Sequence, residues 1–77
     1  MVKKSQTDMP LAPIERIIKE TTKMLVSESA AMKLRKVLTE FAEEIALDAA
    51  ELAAFTRRKT IKDRDITLAY KNRIKNR

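Results

Sequence analysis

Residues 27–56 read SESAAMKLRKVLTEFAEEIALDAAELAAFT, thirty positions without a proline or a glycine. Leu34, Val37, Leu38, Phe41, Ile45, Ala49 and Leu52 recur there at steps of three and four, the spacing of one face of an α-helix. Ser27 is a good N-cap, and Glu28 suits a first turn, where the macrodipole favours an anion. At ~1.5 Å rise per residue such a helix is roughly 45 Å long. A chain of 77 residues has no means of burying both ends of that rod, so the pattern predicts a second copy laid across it.

Upstream, Pro10 and Pro13 frame the start of a shorter helix, a position where a missing N–H removes no bond. Leu11, Ile14, Ile17 and Ile18 mark its apolar face, Arg16, Lys19 and Glu20 lie opposite, and it ends near Thr22. Residues 23–26 read as a short extended link, and residues 1–8 as a flexible basic tail before one domain spanning 9–77. Downstream, residues 57–62 form a second loop. Asp63 and Asp65 open a third helix, with Asp65 three residues after the cap in the manner of a capping box. Ile66, Leu68, Ala69 and Ile74 supply its apolar contacts, and Asn76 and Arg77 should fray. The acidic cluster Glu40, Glu43, Glu44 and Asp48 scatters around the long helix and is not read as a metal site, while Lys71, Arg73, Lys75 and Arg77 read as a solvated end.

Composition narrows the function. Seventeen Lys and Arg stand against eleven Asp and Glu, a net charge of +6 that favours a polyanionic partner. The distribution is uneven. The long helix sets Lys33, Arg35 and Lys36 against Glu28, Glu40, Glu43, Glu44, Asp48 and Glu51, whereas four of the six residues in 57–62 are basic. Cysteine and histidine are absent, which removes disulfides, thiolate metal sites and the commonest general base. Glycine is also absent, so phosphate-cradling glycine loops are excluded. The reading is therefore no enzyme, no cofactor, no metal and no small-molecule substrate. Without disulfides or metal, a chain this short is stabilised by association with another chain. No apolar run spans a bilayer, and the polar start is not a signal peptide, so the expected location is cytoplasmic.

Two stretches are more specific. Residues 10–19, PLAPIERIIK, resemble the first helix of archaeal-type histones, and residues 57–66, RRKTIKDRDI, resemble their second loop and third-helix start, at the family's mutual spacing. The resemblance implies the all-α histone fold, short helix, long helix, short helix, in an intertwined head-to-tail homodimer, with the tetramer left open. It implies binding, bending or wrapping of double-stranded DNA with little sequence preference, and a place on the chromosome or nucleoid. By position it assigns Arg16 to the minor groove, steadied by Thr60, with Lys59 on phosphate. Lys19, Lys23, Arg57 and Lys62 complete the candidate DNA surface. Arg58 and Asp65 match a structural ion pair, and Leu52, Phe55, Asp65 and Leu68 match the contact between dimers.

Three positions depart from the family. Leu25 stands where many relatives have a DNA-contacting arginine, with Lys23 nearby as a substitute. Thr22 replaces a glycine, and Phe55 replaces a histidine that would bond Asp65. These departures bear on tetramers and longer arrays, not on the dimer. The alternative function is a histone-fold component of a transcription or replication complex acting through protein partners. A third is a basic amphipathic membrane-surface peptide, which requires a chain disordered off the membrane.

Overall fold

The computed structural model of the protein describes residues 9–75, and the tail expected over 1–8 and the fraying expected at 76–77 lie outside them. Three helices appear in order, α1 (Leu11–Thr22), α2 (Glu28–Phe55) and α3 (Asp63–Lys75), with no strand among the described residues. The chain divides into two compact units, one ending at Glu40 and the other beginning at Phe41.

In the first unit, Pro10 precedes α1 in an extended conformation (φ −63°, ψ 148°) and needs no side-chain cap. Ile14 is the buried residue of α1, with Leu11 and Ile18 half-buried beside it in register. The start of the segment is tied to α2 by Arg35, whose guanidinium donates to the Met9 carbonyl at 3.1 Å. The end of α1 differs from the expected extended link, because Lys23 is left-handed (φ 62°, ψ 22°). Its N–H reaches the Lys19 carbonyl at 2.7 Å, a single bond that closes the last turn. Thr22 reinforces this closure. Its hydroxyl donates to the Ile18 carbonyl at 2.8 Å and accepts the Met24 N–H at 3.1 Å. Ser27 then caps α2, its Oγ accepting the Ala30 N–H at 3.1 Å.

In the second unit, Ile45, Ala49 and Ala69 form a buried cluster, with Leu52 packed against it. Phe41 meets Tyr70 edge to face, with ring centroids 6.3 Å apart. Arg73 of α3 grips two carboxylates one turn apart on α2, its Nε 2.8 Å from Asp48 Oδ2 and its Nη1 2.8 Å from Glu44 Oε1. Arg73 is thus no part of a solvated end. The acidic pair at i and i+4 on α2 is what fixes it, and its pKa is raised, chiefly by the bond to Asp48.

The expected apolar ladder of α2 is buried only in part. Ile45 and Ala49 are buried and Leu34 and Leu52 are half-buried, but Val37, Leu38 and Phe41 are exposed. On α3, Ala69 is buried while Ile66, Leu68 and Ile74 are exposed. The residues that are buried are mostly small. Four of the six buried apolar residues are alanines, Ala31, Ala49, Ala53 and Ala69, which contribute little area each. Among the described residues, most large apolar side chains other than Ile14 and Ile45 remain partly or largely uncovered.

Candidate nucleic-acid interface

On α1, burial of Ile14 turns the opposite face outward, and Arg16 and Lys19 lie exposed on it. Lys23 follows one turn after Lys19 and is exposed as well. None of these three side chains forms an ion pair among the described residues. The α1 end of the chain therefore presents a row of free cations, with Met24 and the nearly fully exposed Leu25 beyond it.

The second loop is built around Arg58. Helix α2 ends in a paired closure in which the Arg57 N–H bonds the Ala54 carbonyl (2.8 Å) and the Arg58 N–H bonds the Ala53 carbonyl (2.9 Å). This pattern places Arg57 in the left-handed region, at φ 60°. The half-buried Arg58 guanidinium then fastens the loop at three points. Its Nε donates to Thr56 Oγ1 (2.9 Å) and its Nη1 to the Thr60 carbonyl (3.2 Å). Its two terminal nitrogens hold the Asp65 carboxylate bidentately at 3.0 and 2.7 Å. The Lys62 N–H adds a further bond, donated to Asp65 Oδ2 at 2.8 Å.

Asp65 is 4% exposed, yet its pKa is lowered to about 2. The Arg58 hydrogen bonds are the main cause, followed by the Lys62 amide, and together they outweigh desolvation. The same pair raises the pKa of Arg58. Arg58 is neutralised inside the loop, so Arg57, Lys59 and Lys62 are the cations it offers outward. All three are exposed, as is Thr60, and none is ion-paired among the described residues.

Of the positions matched to a contact between dimers, Asp65 is held inside this loop by Arg58. Leu52 and Phe55 line a groove of about 350 Å³ together with Asp48, Glu51, Ala69 and Asn72. Phe55 is 86% exposed and Leu68 is exposed outside the groove lining, while Asp65 spends both oxygens on Arg58 and Lys62. Sequence reasoning did not find the Arg73 clamp or the Arg35 tie. The one available signal was the i, i+4 pairing of Glu44 with Asp48 flanking the stripe of Ile45 and Ala49.

The model of the family described as histone-like transcription factor (CBF/NF-Y) and archaeal histone matches residues 7–70. The chain belongs to this family. Its three-helix order is the histone fold. Among similar proteins, one of the subunits of archaeal histone HAN1 from Thermococcus zilligii is 42% identical over 64 residues, covering 83% of this chain and 96% of the relative. Probable archaeal histone 3 of Methanocaldococcus jannaschii is 38% identical over 64 residues, with the same two coverages. DNA-binding protein HmvA of Methanococcus voltae is 37% identical over 67 residues, 87% of this chain and 68% of the relative.

Proposed function

We propose that this histone-family chain is a chromosomal architectural protein that pairs with a second copy and holds double-stranded DNA by its phosphate backbone, bending or wrapping it with little sequence preference. Its role is mechanical, without a catalytic step. The observation that carries the reading is the division of labour in the second loop. Arg58 and Asp65 brace the backbone, and Arg57, Lys59 and Lys62 are left exposed and unpaired among the described residues. Arg16, Lys19 and Lys23 form a second free row on the α1 side. A guanidinium such as that of Arg16 gains affinity in a narrow minor groove without reading bases. Pairing of two copies is supported by the uncovered apolar residues of α2, and a further contact between dimers by the groove that Leu52 and Phe55 line and by the exposed Leu68.

Titration of duplex DNA across a salt series tests the reading. Each phosphate neutralised contributes about −0.9 to the slope of log K against log salt. A slope of several units is expected, and Arg16→Ala should weaken binding to unrelated sequences equally. A near-zero slope in the unaltered protein would overturn the proposal. It would favour the second reading, a component of a larger complex that acts through protein partners. The exposed Phe55 beside the acidic Glu51 supports that alternative.

A further inference from the structure

Among the described residues, two adopt a positive φ, Lys23 at 62° and Arg57 at 60°. Both are forced there by helix closure. Lys23 makes the single amide bond that ends α1, and Arg57 lies inside the double closure that ends α2. Left-handed closing positions are filled mostly by glycine and sometimes by asparagine, because any larger residue sets its Cβ against the backbone carbonyl. This chain puts a long cationic side chain at both. Each is exposed and free of ion pairs among the described residues, and each stands in the loop that follows a helix or joins a loop already carrying candidate DNA cations.

A strained backbone position that persists points toward a use for the side chain held there. The macrodipole does favour a cation at a helix C-terminus. For α1 that effect alone does not require the left-handed residue itself to bear the charge, because Lys19 already sits in the last turn. What the left-handed residue does offer is reach. Lys23 is the first residue past α1 and Arg57 the second past α2, and each sits where the chain turns.

We propose that Lys23 and Arg57 are phosphate-contacting residues kept at left-handed closures where glycine would make the fold more stable, so that stability is given up for DNA affinity. This inference rests on the DNA-binding reading above. It makes the two properties move in opposite directions at the same residue, which a merely structural role does not.

The experiment measures thermal melting and DNA salt dependence for the full chain carrying Lys23→Gly, Arg57→Gly or both, beside Lys23→Ala, Arg57→Ala and the charge-conserving Lys23→Arg and Arg57→Lys. Each glycine variant should melt about 4 °C or more higher. Each should lose about 0.9 from the magnitude of the salt slope per contact removed, which at 0.1 M salt is an affinity loss of about eightfold. The alanine variants should lose the same slope without the gain in melting temperature, since the Cβ remains. The charge-conserving variants should keep the slope. Glycine variants that melt lower, or that melt higher with an unchanged slope, would overturn the inference. A near-zero slope in the unaltered protein would instead sink the DNA-binding reading itself, so the two failures are separable.

Discussion

Asp65 shows how a single buried carboxylate can be held charged in a chain with so small a core. Burial alone would favour its protonated form, but two guanidinium nitrogens and one amide arrive at its oxygens. The folded pKa of about 2 lies below the ordinary value of 3.8. A depressed carboxylate pKa stabilises the fold at pH values above the unfolded value, and the contribution fades as pH falls through the folded one. The window is therefore about pH 4 down to pH 2. Denaturant melts of Asp65→Asn beside the unaltered protein should show a clear deficit at pH 7 that narrows across this window and vanishes near its lower end. A deficit that persists unchanged at pH 2 would mean that shape rather than charge makes the contact. The pairing of Arg58 with Asp65 was legible in the sequence through the resemblance of residues 57–66 to a known loop. The Arg73 clamp was not, because its partners lie 25 and 29 residues away and no local pattern joins them.

At the scale of the element, helix limits follow from chemistry that acts over a few residues. The apolar spacing and the two prolines locate α1, and Ser27 locates the start of α2. The third helix uses half of a capping box. Asp65 takes the Lys62 N–H, while Lys62, which has no side-chain acceptor, receives the Asp65 and Ile66 amides on its own carbonyl instead. Residues 23–26 read as extended because the sequence offers no glycine to announce a left-handed closure, and Lys23 and Arg57 adopt one regardless. Ser27 carries the cleanest test of local capping. Its hydroxyl satisfies one orphan amide, so Ser27→Ala should destabilise the fold by about 1 kcal/mol. Thermal melting should register the loss as a drop of several degrees, about 4 °C or more, with the DNA salt slope unchanged. A drop in slope would mean that the cap also positions the adjoining loop for DNA.

For the whole molecule, the decisive quantity is the apolar surface that one chain leaves uncovered. The stripe on α2 was legible as a packing face, but a sequence does not say whether its own chain or another covers it. The buried set is dominated by alanine, while Val37 is 51% exposed, Phe41 39% and Leu38 37%. At about 25 cal/mol per Å² of apolar surface, covering such residues is a main source of stability for so short a chain. A second copy placed by a two-fold axis would cover the same stripe on both partners. Folding and association are then one reaction, and melting must respond to mass action. Each tenfold rise in protein concentration adds about 1.4 kcal/mol to the associated state. For a unit of two such chains this should raise the melting temperature by roughly 3–5 °C per decade. Calorimetry or circular dichroism over a hundredfold concentration range checks this directly. A melting temperature that does not move with concentration would show that one chain is stable with its apolar stripe in water, and the proposed pairing would fall with it.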